Sequence, residues 1–293
     1  MKKLLFIINP MAGRQQAQTD LYKMVKIFAD HDYEVTVYPT RARLDCTQKV
    51  LEDAGRFDLV VCCGGDGTLN EMVSGMMQRQ DRRPMGYIPL GSTNDLAVSL
   101  RLPTRVEEAA LRAVTGNEFH MDVGTLNDRY FNYIAAFGAF TETSYATPQE
   151  IKNALGHLAY ILEGVKSLGK ILPIHVKITA DDEQFEEDYL FGAVTNTISL
   201  GGVLKLDPEK VLLDDGMYEL LLVKNPTNAL EAQAMLTAIM TQNFDGPLVK
   251  MFHASDITFE SSHEISWTID GEYGGTFSHT HILNNKNAVT LIV

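Results

Sequence analysis

The chain has 293 residues, of which 45% are hydrophobic, and 38 aspartates and glutamates against 25 lysines and arginines give a net charge of −13. This length allows two ordinary domains and a core that needs no disulfide staples. The acidic balance excludes a general nucleic-acid binder, which needs a basic footprint, and broad attraction to anionic lipid. Cys46, Cys62 and Cys63 have neither metal nor redox spacing, and five apolar residues before Asn9-Pro10 are too few for a signal peptide. With no segment of membrane-spanning length, these features predict a reduced, cytoplasmic protein.

Lys3 to Ile8 has the pattern of a buried strand and ends in Asn9-Pro10-Met11-Ala12-Gly13. Leu21, Met24, Val25 and Phe28 then form a helical stripe, Tyr33 to Tyr38 alternates as a second strand, and Asp45 to Ala54 reads as a helix. The next apolar run, Leu59 to Cys63, stops at Gly64-Gly65-Asp66-Gly67, and Leu69, Met72, Val73 and Met76 follow at helical spacing. Strand, glycine turn and helix N-terminus together favour a bound anion such as phosphate. Asp66 would repel that phosphate unless a divalent metal lay between them. A surface aspartate on a plain turn is the simpler reading of this stretch alone.

Arg79, Arg82 and Arg83 read as solvated surface or helix-end pairing. Met85 to Leu90 is a short apolar strand, and Gly91-Ser92-Thr93-Asn94-Asp95 leads into a helix at Leu96 to Leu100, where Asn94 or Asp95 is also an ordinary N-cap. Val106 to Val114 reads as a helix that stops at Gly116-Asn117. Strands alternating with helices predict an α/β N-terminal domain with a parallel sheet, whose ligands bind at the carboxyl ends of the strands.

From about Met121 short alternating runs take over: Tyr130 to Ala136, His175 to Ala180 and Tyr189 to Thr195 around an acidic hairpin tip, Met217 to Val223, Asp256 to Glu260 and Ile265 to Asp270. Helical stretches interrupt at Glu150 to Leu168 and Ala229 to Thr241. The pattern predicts an antiparallel β-sandwich or barrel. The expected division is 1–121 for the nucleotide-binding domain and 122–288 for the lipid or substrate domain, with the final strand 289–293 open to either. Two acidic turns stand out, Leu212-Leu213-Asp214-Asp215-Gly216-Met217, which could hold a hard cation, and Asp270-Gly271-Glu272 at a strand end. Either is equally an everyday hairpin turn.

The order NPxAG at Asn9, GGDGTLNE at Gly64, GSTNDLA at Gly91, LDDG at Leu213 and DGE at Asp270 resembles the diacylglycerol kinase catalytic family, which includes bacterial lipid kinases and the sphingosine and ceramide kinases. The resemblance covers nearly the whole chain. It implies an N-terminal domain like that of NAD kinases and phosphofructokinases, a C-terminal antiparallel β-sandwich, and ATP between the two. It further implies that Asn9, Pro10, Met11, Ala12, Gly13, Thr40, Gly65, Asp66, Gly67, Thr68, Leu69, Asn70, Glu71 and Thr93 line the nucleotide site, with Asn94 and Asp95 close by. Asp66 would sit near a catalytic Mg2+ and the phosphates. A structural Mg2+ maps to Asp215 with backbone oxygens of Leu212 and Met217, and Glu272 takes the place of the general base, a role that Asp66 could fill instead.

The activity so implied is transfer of the γ-phosphoryl group of ATP to a lipid hydroxyl, with diacylglycerol the first candidate and phosphatidic acid its product. The partners implied are a membrane lipid reached by peripheral contact at the inner face and a second copy in a homodimer, without nucleic acid. The leucine-rich segment Glu150 to Leu168, ending in Lys166 and Lys170, offers one membrane-facing surface, although its stripe also suits a core. Two other functions stand beside this one. The GGDGT block also resembles NAD kinases, which would make the acceptor soluble, but their second glycine block is not found. A catalytically silent nucleotide-binding regulator would need no base, which the intact Asp66, Asp95, Asp215 and Glu272 count against.

Overall fold

A computed structural model describes residues 1–138, 172–200, 204–206 and 211–293, so the expected helix from Glu150 to Leu168 lies outside the described residues. Contacts divide the chain into two compact units, residues 1–123 with 286–293, and residues 124–285.

In the first unit the strands β1 (Lys2–Ile8), β2 (Tyr33–Pro39), β3 (Leu59–Gly64) and β4 (Met85–Pro89) pair in parallel in the order β4-β3-β1-β2. Leu4 to Ile8 and every residue of β3 and β4 are buried, which requires cover on both faces of the sheet. On one face Leu4, Phe6, Ile8, Val61 and Cys63 pack with Met24 and Phe28 of the helix Leu21–Asp30 and with Ala109, Ala110 and Ala113 of the helix Val106–Thr115. Phe6 and Phe28 meet edge to face at 5.2 Å. The helices Asp45–Asp53 and Asp66–Met77 pack on each other, burying Cys46, Val50, Leu69, Met72, Val73 and Met76. At the C-terminus Leu291 pairs in parallel with Met85, while Asn117 and Val293 exchange two backbone hydrogen bonds of 2.9 Å.

The three arginines all donate to backbone carbonyls, although Arg82 stays exposed. Arg79 donates to the carbonyls of Val50 and Leu51, Arg82 to those of Met77 and Ala288, and Arg83 to that of Gly55. Cations at the ends of helices satisfy carbonyls that have no partner within the helix and offset the negative dipole end.

The second unit is antiparallel. The strands β7 (Ile134–Gly138), β9 (Glu183–Thr195), β12 (Tyr218–Lys224) and β13 (Val249–Ala254) are joined in the order β7-β9-β12-β13. The strand β14 (Asp256–Ile269) pairs with β7, with β8 (Ile174–Ala180) and with the long β15 (Glu272–Ile292). Trp267, fully buried, stands 5.0 Å from Phe137 and 4.9 Å from Phe259 at the centre of one core. Leu221, Val223, Val249 and Phe244 form a second core with Met235 of the helix Ala229–Thr241. That helix begins at Asn228, whose side chain accepts from Glu231 N at 3.0 Å, while the Glu231 carboxylate accepts from Thr227 N at 2.7 Å.

Two expectations need correction here. The hairpin tip expected over the acidic stretch Asp181 to Asp188 is confined to Asp181-Asp182, and the acids from Glu183 onward run as strand. Phe185 packs inward while the carboxylates alternate or face solvent beside cations: Glu187 lies 2.7 Å from Lys224 Nζ, and the His175 ring meets Asp188 at 2.8 Å and Glu186 at 3.4 Å. The strand β13 and most of β15 were absent from the sequence expectation. In β15 Gly275, at φ +114, sits where the β14–β15 register shifts, between Trp267 and Thr268.

The hydrogen bond to Asp188, then that to Glu186, raises the His175 pKa. A raised pKa means stability present below the ordinary value of about 6.5 and lost as pH climbs through the folded value. Replacing His175 by Gln should therefore lower Tm slightly at about pH 5.5 and leave it unchanged at about pH 9. An equal loss at both pH values would mean that packing, not the imidazolium, carries the effect.

Candidate functional site

Because β1 to β4 run in parallel, their carboxyl ends lie along one edge, and the loops at Asn9, Thr40, Gly64 and Gly91 leave from that edge. Hydrogen bonds tie these loops to one another. Asn9 Nδ2 donates to Thr68 Oγ1 at 3.3 Å, and Asn9 Oδ1 accepts from Met11 N at 3.0 Å. Thr40 N donates to Ile8 O at 2.9 Å. Gly13 is in the left-handed region at φ +60, Met11 is 69% exposed, and Ala12 between them packs against the core of the first unit.

The closest approach joins the two glycine loops. A Cβ on Gly65 would lie 3.1 Å from Gly91 Cα, and one on Gly91 would lie 2.7 Å from Gly65 Cα and 2.5 Å from Asn94 Oδ1. Across this contact Asn94 N donates to Asp66 Oδ2 at 2.9 Å. Asn94 itself is left-handed at φ +53, a conformation asparagine tolerates, and its side chain closes the turn with Gly91 N and Gly91 O, both at 2.9 Å. Behind the turn the Tyr87 hydroxyl lies 3.2 Å from Asn94 Oδ1 and 3.3 Å from Gly64 O. Burial first, and then the Asp66 charge, push its pKa well above the ordinary phenol, so it stays a donor. Tyr87 escaped the sequence reading because an apolar strand gives no sign that one residue carries a working hydroxyl.

The helix Asp66–Met77 starts at Gly65 without a side-chain cap, and Thr68 N donates to Gly65 O at 3.0 Å. Other expected site residues have visible structural duties. Glu71 accepts from Leu44 N at 2.8 Å and Cys46 N at 3.2 Å, and so caps the helix Asp45–Asp53. Leu69 is fully buried, Asn70 Oδ1 accepts from Ser74 Oγ at 3.4 Å, Pro10 O accepts from Gln18 Nε2 at 3.0 Å, and Thr93 is half-buried. Asp95 is 2% exposed at the start of the helix Asp95–Ser99. Asp122, wholly buried, accepts from Asn287 N at 2.7 Å; a carboxylate inside an apolar strand was the signal that could have found it.

In the second unit the LDDG turn is closed by Asp215 Oδ1, which accepts from Met217 N at 2.9 Å, with Gly216 at φ +87. Asn284 Nδ2 reaches Met217 O at 3.2 Å and Asn196 Nδ2 reaches Leu213 O at 3.4 Å. No group of three or more His, Cys, Asp and Glu side chains suited to a metal exists among the described residues. The donors at this turn are one carboxylate and backbone carbonyls, a hard-oxygen set compatible with a hydrated Mg2+. Two residues on, Glu219 is 1% exposed, and burial, reinforced by the Asp215 charge, pushes its carboxyl up to about 8.

The DGE turn links β14 to β15. Asp270 at φ +47 and Gly271 at φ +81 make a two-residue turn between the paired Ile269 and Glu272, and Glu272 is exposed. The Asp270 carboxylate accepts from three consecutive backbone N–H groups: Asn132 at 2.7 Å, Tyr133 at 3.0 Å and Ile134 at 3.2 Å.

The sequence family described as the diacylglycerol kinase catalytic domain matches residues 3–126, and that described as the YegS C-terminal NAD kinase beta sandwich-like domain matches residues 140–292. The chain is similar to a diacylglycerol kinase of Bacillus subtilis, with 33% identity over 98% of this chain and 97% of that protein. A diacylglycerol kinase of Staphylococcus saprophyticus is 31% identical over 94% of this chain and 90% of its own. A crystal structure of a diacylglycerol kinase from Bacillus anthracis superposes with a TM-score of 0.76 at 25% identity, covering 99% of this chain and 96% of that one. This chain has two domains, with a sandwich-like second half, and it belongs to the diacylglycerol kinase catalytic family.

Proposed function

We propose that the chain is an ATP-dependent lipid kinase whose acceptor is diacylglycerol and whose product is phosphatidic acid. The observation that carries this reading is the joined pair of glycine loops, Gly64–Thr68 and Gly91–Asp95, in a chain 33% identical to a named diacylglycerol kinase. Asn9 to Gly13, Thr40, Gly65 to Glu71 and Thr93 to Asp95 form the nucleotide region of a domain spanning 1–121. For Leu69 and Glu71 the contribution is through backbone and support, since their side chains are buried or engaged.

Phosphoryl transfer asks for position and charge neutralisation more than covalent chemistry. Backbone N–H groups at the start of the helix Asp66–Met77 bind phosphate oxygens, and Asn94 N holds the Asp66 carboxylate in one orientation. Asp66 would hold a Mg2+ that would supply neutralisation of the phosphate charge, and Asp215 with the backbone oxygens of Leu212 and Met217 would hold a second, structural ion. The acceptor hydroxyl oxygen forms a bond to the γ-phosphorus as the bond to the β-phosphate oxygen breaks and ADP leaves. The hydroxyl proton passes to the Glu272 carboxylate. Glu272 takes this role in place of Asp66, whose carboxylate accepts from Asn94 N at 2.9 Å and is assigned to the metal. No described helix is long and apolar enough to cross a membrane, in keeping with an enzyme that meets its lipid by peripheral contact at the inner face.

The test is transfer of radiolabelled phosphate from ATP with magnesium to dispersed diacylglycerol, other lipid alcohols and NAD. Labelled phosphatidic acid is expected, and Glu272→Gln should lower kcat by about 100-fold or more. Label on NAD, or ATP binding without transfer to any acceptor, would replace this reading by the soluble-acceptor kinase or the regulator. Gly91→Ala should raise KM for ATP by about tenfold and lower Tm by several degrees, since the new Cβ meets backbone. In Asp215→Ala part of the rise in Tm that magnesium gives the native protein should disappear; an undiminished rise would remove the structural ion from this turn.

A further inference from the structure

The carboxylate of Asp270 binds three successive backbone N–H groups of another loop, a cradle of the kind that holds free anions elsewhere. Asn132 and Tyr133 are 1% and 5% exposed, so without Asp270 their N–H groups would be buried and unmade. The same segment is gripped from its other side, where Tyr133 O accepts from Thr195 Oγ1 and Asn196 N, both at 2.9 Å. A return bond from Asp270 N to Ile134 O at 2.9 Å closes the lock. A two-residue turn needs only a residue that tolerates positive φ at this position, and asparagine serves as well as aspartate. The charge is therefore surplus to the turn itself and is used in the contact across to 132–134.

Glu272 stands two residues beyond this clamp, on the first paired position of β15. Its side chain is exposed, while its backbone is held in the ladder opposite Ile269, directly after the clamped turn. We propose that Asp270 is a positioning residue for the kinase reaction: by clamping the 132–134 segment it holds the turn that presents Glu272, and so fixes where the base meets the acceptor hydroxyl. The inference rests on the reading of Glu272 as the base. The reach from a misplaced base to a hydroxyl is unforgiving, because a displacement of about 1 Å can cost on the order of 100-fold in rate.

The test is a double-mutant cycle on the full chain with ATP, magnesium and dispersed diacylglycerol, comparing native protein, Asp270→Ala, Glu272→Gln and the double variant, together with Asp270→Asn. Expected are a fall in kcat of about 10- to 100-fold in Asp270→Ala with KM for ATP unchanged, and partial recovery in Asp270→Asn, which keeps an acceptor oxygen. The double variant should be no slower than Glu272→Gln alone, since a base already removed cannot be misplaced. Losses that multiply, a kcat that does not change in Asp270→Ala, or failure of both Asp270 variants to fold would make the clamp purely structural and overturn the proposal. If Glu272→Gln keeps native kcat, the base assignment has failed instead, and the clamp's role in presenting it falls with it.

Discussion

The contact between Gly65 and Gly91 is the constraint on which the candidate site depends. Two parallel strands end side by side, and each must turn away into a helix within a few residues. Only because neither glycine has a Cβ can the two turns touch, and only because they touch can a backbone N–H of one, Asn94, reach the carboxylate of the other, Asp66. The same neighbours then recruit supports from further away. Tyr87 stands behind the Asn94 turn, Asn9 reaches Thr68 from β1, and Glu71 carries the effect on to the loop after Thr40 by capping its helix. A site made of backbone donors needs this kind of bracing, since loops alone are the most mobile part of a fold.

The second unit solves a different problem, that of keeping polar turns in fixed places at the margins of an apolar core. At both of its acidic turns an aspartate bonds backbone N–H groups: Asp215 closes its own turn, and Asp270 reaches a segment far away in the chain. A net charge of −13 is thus not spread as a featureless field. Some carboxylates are consumed as hydrogen-bond acceptors, others pair across strands, and Glu219 is buried where its charged form is disfavoured.

What could be read from sequence follows from where the partners lie. The strands β1, β3 and β4 are apolar runs covered on both faces, and the glycine blocks follow them directly, so local pattern was enough. The strand β9 misled because its acids are paired by residues of β8 and β12 that the stretch itself does not contain. The bulge at Gly275 in β15 is likewise defined by the opposite strand, at Trp267 and Thr268. Motif order singled out Glu272 and Asp66 as candidates, but the hydrogen bonds of Tyr87 and Asp270 exist only after folding, the latter spanning 136 to 138 positions.

The cysteines give this two-part chain a built-in reporter. All three lie in the first unit, Cys62 and Cys63 in the central strand β3 and Cys46 beneath the helix Asp66–Met77, and all are buried. Burial pushes the Cys63 thiol up to about 12 and the other two higher than usual, so none is a thiolate at neutral pH. A thiol reagent can reach them only when the first unit opens, at the sheet for Cys62 and Cys63 or between the two helices for Cys46, whereas the second unit has no cysteine at all. Labelling rates thus follow the breathing of one half of the molecule while its neighbour stays silent.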